Sequence, residues 1–384
     1  MNWHTKPLGD CVEVFDNLRC PVTKKDRVPG PYPYYGASGI VDYVDSFIYE
    51  GLHMLVAEDG ENLKSRKLPI VYLANGRFWV NNHAHVLKAN DDNDTRFLSY
   101  RIESIDLSAY ITGSTQPKLS QATLLSIPLS VPCKEEQQRI AGVLGALDDK
   151  IESNCAQQRI GEQLLRAVIE GILGQFSEAD FISFDAYCTQ SKESVRPENI
   201  GNDDKYIALE HMPRGSVFLN SWETAKLAGI ASNKTRFRHG DLLFGKLRPY
   251  FKKVGVAPVS GVCSTDILVI RPRLPEFLPF IAVIASSDAL IDSISASATG
   301  TRMPRASWKE IATWPVPQIP DETLTVLLHP ANQLMAFLET LSLQNLKLAQ
   351  LRNALLPELM SGRMRVDEAG RLVSEALDEE VRSV

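Results

Sequence analysis

The sequence predicts an α+β chain in which two similar mixed α/β domains are separated by a long antiparallel two-helix coiled coil with internal pseudo-twofold symmetry. Three observations carry that expectation. One block returns once at a constant offset of 187 residues; heptads of apolar residues fill a long stretch in each copy; and short aromatic and β-branched runs, broken by Gly, Asn and Asp, precede each stretch.

The repeat is direct. Gly113-Ser-Thr-Gln-Pro117-Lys-Leu-Ser120 returns as Gly300-Thr-Arg-Met-Pro304-Arg-Ala-Ser307, and Ile127-Pro128 returns as Trp314-Pro315. Ala167-Val-Ile-Glu-Gly-Ile-Leu173 comes back as Ala354-Leu-Leu-Pro-Glu-Leu-Met360. Similarity over roughly 60 positions without slippage implies two copies of one structural unit, which suits a ligand with two like halves.

Residues 1–133 read as the first domain, with strand-like runs at Ile40–Val44, Ile70–Leu73 and Phe78–Val80. From Lys134 a polar-apolar periodic stretch runs without proline to Arg196, and Glu135, Glu136 and Gln137 suit the first turn of a helix. The first spacer helix is read over 134–176. Ile140, Leu147, Asn154, Gly161 and Val168 form one of its stripes, and Leu144, Ile151, Gln158, Leu165 and Ile172 the other.

Residues 177–320 read as the second domain, with runs at Lys205–Leu209, Asp241–Phe244, Val254–Val256 and Asp266–Ile270. The second spacer helix spans 321–365, where the stripes return as Leu327, Leu334, Leu341, Leu348, Leu355 and Ala331, Leu338, Asn345, Arg352, Leu359. His329-Pro330 should break that helix, so its regular part is expected from Ala331. A helix over 134–175 would be roughly 60 Å long and could not bury its seam alone, so the second packs back along it. An antiparallel pair turns the two domains into inverted orientation. The acidic residues 366–384 read as a solvated tail.

Composition sets bounds. The chain has 384 residues, room for two domains of ordinary size, with 44% hydrophobic and 23% charged residues. Its six cysteines are scattered without a C-x-x-C pair, which supports neither a disulfide framework nor a zinc site. Met1-Asn-Trp-His-Thr-Lys6 lacks the apolar region of a signal peptide, and the longest apolar run, Phe280–Ala285, is too short to span a bilayer. A cytoplasmic protein is expected, with no membrane contact.

The net charge of −6 is segregated. Between Lys234 and Lys253 the chain sets Lys234, Arg236, Arg238, Lys246, Arg248, Lys252 and Lys253 against Asp241 alone. Cations interleaved with aromatics there suit phosphates, and arginine can also read guanine; the plainer alternative is a solvated strand-turn-strand surface. Each G-x-x-x-P loop puts hydroxyl and amide groups beside a cation: Thr115, Gln116 and Lys118 in the first, Arg302 and Arg305 in the second. The same loops also suit a structural turn into a short helix capped by Ser120 or Ser307.

Further candidates for a nucleic-acid contact are Tyr34, Tyr35 and Ser38, against a packed aromatic turn, and the cluster Lys64, Arg66 and Lys67, against a solvated loop. His83 and His85 share a strand face without a third ligand, so no metal site is assigned. The sequence holds no G-x-x-x-x-G-K-[S/T] loop, dinucleotide fingerprint, nucleophile elbow, or Asp/Asn-Pro-Pro-aromatic tetrapeptide. No catalytic residue is assigned, and the chain is expected to hold no cofactor of its own.

These features together resemble the specificity (S) subunits of type I restriction–modification enzymes. The resemblance covers essentially the whole chain. It rests on Trp3 with Leu8-Gly9-Asp10, Tyr34-Tyr35-Gly36-Ala37-Ser38-Gly39, both G-x-x-x-P loops, Glu136-Gln-Gln-Arg-Ile-Ala141, Gly240-Asp-Leu-Leu-Phe244 with Lys246-Leu-Arg248-Pro, and Leu355-Leu-Pro-Glu-Leu-Met-Ser-Gly362. It implies two target-recognition domains, each reading one half of a split duplex DNA sequence. It implies helices that dock a pair of modification subunits carrying S-adenosylmethionine and methylating adenine, joined by restriction subunits that use ATP and Mg. The chain itself is then non-catalytic. On that reading the helix seam that supports docking comprises Ile140, Leu144, Leu147, Ile151, Leu165, Val168, Leu334, Leu338, Leu341, Leu348 and Leu355. Two other classes stay open from the residues alone: a helical scaffold without sequence-specific DNA binding, and a stand-alone DNA-modifying enzyme.

Overall fold

The structure, a computed structural model, describes residues 3–113, 115–176, 180–297 and 304–382. The chain is α+β: two β-rich domains linked by two long helices that pack together. It divides into two compact units, one of residues up to Asp149 with Gln350–Glu379, the other built mainly from Lys150–Ala349.

In the first unit the strands are β1 (His4–Pro7), β2 (Val12–Val14), β3 (Tyr32–Gly36), β4 (Gly39–Val44), β5 (Tyr49–Glu50), β6 (His53–Ala57), β7 (Val71–Ala74), β8 (Arg77–Val80), β9 (Ala84–Ala89) and β10 (Pro128–Val131). One antiparallel sheet runs β2-β9-β6-β7 and another runs β4-β3-β8-β5, with β3 and β8 parallel. β6 is apolar after His53, without alternation, and all five of its residues are buried, as a strand covered on both faces requires. Short helices α1 (Asn62–Ser65), α2 (Thr95–Glu103) and α3 (Gln121–Ser126) complete the domain. Asp94 caps α2 by accepting from the Phe97 N–H at 2.8 Å, and Ser120 caps α3.

The long helix α4 spans Lys134–Gln175. Its first turn is tied down by buried Gln137, whose amide donates to Asn93 Oδ1 and the Pro132 carbonyl, each at 3.0 Å, and accepts from the Asp94 N–H.

The strands of the second unit are β11 (Phe181–Ser183), β12 (Cys188–Ser191), β13 (Ser194–Val195), β14 (Lys205–Ile207), β15 (Glu223–Thr224), β16 (Lys234–Phe237), β17 (Leu242–Gly245), β18 (Val254–Val256), β19 (Gly261–Cys263), β20 (Ile267–Pro272) and β21 (Pro315–Pro317). Their sheets run β12-β20-β17-β18 and β13-β16-β19-β14-β15, with β14 and β19 parallel. The duplication is therefore visible in topology. β2-β9-β6-β7 corresponds to β12-β20-β17-β18, and β4-β3-β8-β5 to β15-β14-β19-β16, with β13 added at one edge. The antiparallel pair β1–β10 corresponds to β11–β21.

Helices α5 (Ala225–Ala228), α6 (Leu278–Ala285), α7 (Asp288–Ser297), α8 (Trp308–Ala312) and α9 (Asp321–Leu327) follow in the second unit. Its core centres on Phe184, Tyr187, Phe244, Phe277 and Phe280 and is continuous with Leu165, Ile169 and Ile172 of α4.

The second long helix, α10, spans His329–Met360. The expected break falls at Leu328, so regular helix starts two residues earlier than Ala331. Pro330 is the second residue of α10, where its missing N–H loses no helical bond. Within the second unit α4 and α10 run antiparallel: Asn154 bonds Gln344 at 3.3 Å, Gln158 bonds the Leu338 carbonyl at 3.0 Å and Ser342 at 2.5 Å, and Gly161 faces Leu338. Leu338, Leu341 and Leu348 are buried, whereas Leu334, Ile151 and Val168 are half-buried. Within the first unit Ile140, Leu144, Leu147 and Leu355 are buried, and Arg352 pairs with Asp148 at 2.8 Å.

One expectation is corrected. The stretch read as a solvated tail is helical where it is described: Val366–Arg382 form α11, an amphipathic helix. It buries Val366, Ala369 and Val373, and its Asp367 pairs with Arg139 of α4. The buried residues recur at intervals of three and four, and composition alone does not reveal that periodicity.

Candidate nucleic-acid interface

Each repeated loop is seated by the same two backbone bonds. In the first unit Thr112 and Lys118 close the loop on each other, N–H to carbonyl, at 2.9 and 2.8 Å. Gly113 turns it at φ +85°, and a Cβ there would sit 2.3 Å from the Gln116 carbonyl oxygen, so only glycine fits. The loop docks on the chain just beyond β6, where Gly60 N–H donates to the Pro117 carbonyl at 3.0 Å and Leu119 N–H to the Glu58 carbonyl at 2.8 Å.

The second unit repeats this beyond β17. Arg248 N–H donates to the Pro304 carbonyl at 3.0 Å, and Ala306 N–H to the Lys246 carbonyl at 2.9 Å. Glu58 and Lys246 thus occupy equivalent places, as do Lys118 and Arg305.

The loop cation is held in both copies, by different acids. Lys118 reaches Glu58 at 3.1 Å, whereas Arg305 pairs with Asp266 at 2.5 Å. Glu58 also receives Arg19 at 2.6 Å. Burial pushes the Glu58 carboxyl up, but hydrogen bonds from Arg19 and Lys118 and the nearby charges of His85 and Arg19 outweigh it, leaving it below the usual carboxylate range. Asp16 behaves likewise: burial raises it, but hydrogen bonds from His85 and the Val86 N–H and the charges of His85 and Arg19 bring it down.

The structure gathers some of the expected contact residues and separates others. Thr115, Gln116 and Lys118 are exposed on one loop, and Lys64 donates to its Gly113 carbonyl at 3.2 Å. Lys246, Arg248 and Lys252 lie on the turn between β17 and β18, beside Arg305. Lys246 bonds the Thr265 carbonyl at 2.6 Å, and Arg248, exposed at φ +50°, has no side-chain partner among the described residues. Lys252, also at φ +50°, pairs with Asp288. Arg302 lies outside the described residues.

Several candidates are committed to structure. Lys234 is buried, with its ammonium on Ser232 and over the Tyr206 ring, which withdraws it from any surface contact. Lys253 is half-buried against the Leu209 carbonyl, and burial with Arg214 nearby lowers its pKa. Arg66 donates to the carbonyls of Glu103 and Ile105, and Lys67 is exposed beside it. Tyr34 is packed, its hydroxyl accepting from the Val22 N–H at 2.9 Å under the Arg27 guanidinium. Tyr35 packs edge-on to Phe78, while Ser38 is exposed. Arg236 and Arg238, on β16 and just beyond it, face Glu193.

His83 bonds Asp59 at 2.9 Å and His85 bonds Asp16 at 2.6 Å, and no metal-holding group occurs among the described residues. Asp16, Arg19, Glu58 and Asp266 escape sequence reasoning. Each lies far along the chain from the loop it supports, and only the strand pairing brings them together.

The type I restriction–modification DNA specificity domain matches residues 1–160. Over nearly its whole length the chain is similar to the EcoDI specificity subunit of Escherichia coli, 22% identical over 92% of this chain and 86% of that one. The chain is similar over nearly its whole length to specificity subunits of type I restriction–modification systems. A specificity subunit is the non-catalytic, DNA-specificity part of a type I system, whose cofactors belong to its other subunits.

The MjaIX specificity subunit of Methanocaldococcus jannaschii is 23% identical over 96% of this chain and 94% of its own. A putative specificity subunit from Haemophilus influenzae is 37% identical, with the match confined to 37% of this chain and 36% of that relative. The solved S subunit from M. genitalium shares the fold at a TM-score of 0.60 and 16% identity, covering 93% of this chain and 96% of that one. No single described helix is long and apolar enough to cross a membrane. The one bent pair that qualifies by length and composition includes α6, which lies in the domain core.

Proposed function

We propose that this chain is a specificity subunit that reads a bipartite duplex DNA target, one half-site per domain, and docks modification subunits on its long helices. The observation that carries the reading is the repeated loop. In both domains it is seated by the same pair of backbone bonds on the end of the equivalent strand, with a cation, Lys118 or Arg305, directly after the seated proline. Lysine and arginine at such a place supply sequence-independent, salt-sensitive affinity for phosphates, and a few exposed side chains supply discrimination at base edges.

Helices α4 and α10 give the partner subunits a rigid surface. On this reading a pair of modification subunits brings S-adenosylmethionine for adenine methylation, restriction subunits bring ATP and Mg, and the complex works in the cytoplasm. The second-domain cations Lys246, half-buried, and Arg248, exposed, carry the sharpest test. Reversing both to glutamate should weaken binding of target duplex at least tenfold and flatten its salt dependence, while the variant still co-purifies with its modification subunit. Unchanged affinity in a filter-binding salt series would contradict the reading.

A further inference from the structure

Beneath the first loop lies a buried ionic cluster that the reading above leaves unused. His85 of β9 is 1% exposed at its side chain. Its Nδ1 faces Asp16 Oδ2 at 2.6 Å, and its Nε2 faces the carbonyl oxygen of Leu119 at 2.9 Å. A carbonyl oxygen only accepts, so Nε2 donates to it.

Asp16 is ionised by its surroundings. Its Oδ1 accepts from the Val86 N–H at 2.7 Å, and its Oδ2 accepts from Gln121 at 3.1 Å and faces Arg19 at 3.3 Å. Nδ1 therefore donates as well, and the ring carries both protons. The charges agree. Asp16 and Glu58, the latter 3.8 Å from Nδ1, are balanced in the buried part by Arg19 and doubly protonated His85, while half-exposed Lys118 sits at the rim on Glu58. Beside the loop, His83 also bonds Asp59, and Lys64 donates to the Gly113 carbonyl.

Leu119 is the end of the loop. Its N–H is spent on the Glu58 carbonyl and its carbonyl on His85, and its side chain is fully buried. We infer that His85 is a positioning residue: its doubly protonated ring clamps the end of the 112–119 loop to Asp16 and thereby fixes Lys118, Gln116 and Thr115 for the first half-site.

The second domain provides an internal control. Glu58 N–H bonds the His83 carbonyl, Lys246 N–H bonds the Asp266 carbonyl, and two residues further along each strand stand His85 and buried Leu268. Among the described residues the second loop has no such clamp. The role given to His85 in DNA recognition rests on the function proposed above; the clamp itself does not.

Full-length protein with histidine rings labelled with nitrogen-15 tests the clamp at neutral pH. Both ring nitrogens of His85 should carry protons, and one bare nitrogen overturns the inference. In His85→Leu the Lys118 and Leu119 amides should exchange with deuterium at least tenfold faster, with second-domain amides unchanged; equal exchange at Leu119 overturns it. Should that variant not fold, His85→Gln carries the test. It keeps one of the two donors, so its exchange should fall between the two, and wild-type exchange there overturns the clamp.

Binding to duplexes mutated in one half-site separates the two readings. His85→Leu should lose about tenfold through the first half-site alone. A loosened loop with unchanged first-half-site binding leaves the clamp standing and overturns the DNA role of the loop.

Discussion

Gly113 shows how much a single residue fixes at this surface. Its positive φ and the 2.3 Å that would separate an added Cβ from the Gln116 carbonyl mean that Gly113→Ala must open the loop. Strain of this kind costs on the order of 1–3 kcal/mol. The variant should unfold at lower denaturant and bind target duplex more weakly; wild-type behaviour in both assays would remove the loop from the account.

The same scale sets an acid limit for the first domain. Asp16 and Glu58 titrate below the usual carboxylate range when folded, so the stability they supply is present above the unfolded carboxylate range. It is lost as pH falls through that range toward their folded values. Urea unfolding at pH 7, 5 and 3 should show the loss in wild type, and Asp16→Asn should be weaker at pH 7 but change less on acidification. Parallel acid curves for the two proteins would deny the carboxylate this role.

Much at this scale is legible in the sequence and much is not. Lys118 and Arg305 stand out because the loop repeats. Their acids Glu58 and Asp266 do not, since one follows β6 and the other precedes β20, each far along the chain from its cation. Lys234 looks like its neighbours in a basic run, yet it is buried with its ammonium on Ser232 and over the Tyr206 ring, a packing that local composition does not reveal.

Among elements, the helix pair is the most legible feature, since heptads of apolar residues leave few other outcomes. Its middle is polar: Asn154, Gln158, Ser342, Gln344 and Asn345 are buried, and the side-chain oxygens of Asn154 and Asn345 lack partners in the structure. Such positions fix register at some cost in stability. Gly161 stands where Leu338 packs closest, so an alanine Cβ would lie 2.3 Å from a leucine methyl in a fully buried site. Gly161→Ala should therefore cost about 1–3 kcal/mol by overpacking. Thermal unfolding measures it, and an unshifted melting temperature would mean that the pair is looser there than described. Replacing Leu147 and Leu334 with aspartate should go further, disrupting the pair and releasing the modification subunit on co-purification.

α11 is the element that the sequence hides. Its net acidity masks an apolar stripe at Val366, Ala369 and Val373, whose spacing of three and four residues is that of one helical face.

At the scale of the molecule, duplication is the organising fact. The strand orders of the two domains match one for one apart from β13, although the 187-residue offset holds only through the loop and the long helices. Insertions and deletions in the strand-rich parts erase the repeat from the sequence and leave it in the topology. Chemistry has diverged at the same time: the strand end that seats the loop carries Glu58 and Asp59 in one copy and Lys246 and Arg248 in the other. Two copies with one architecture and different surface groups suit a target whose halves differ in sequence.

Mapping methylated adenines across the genome of cells that express this chain with its modification subunit tests the bipartite reading most directly. Modification should fall on one split sequence, two short defined elements separated by a fixed unread gap. Methylation at a single uninterrupted motif, or without regard to sequence, would contradict it.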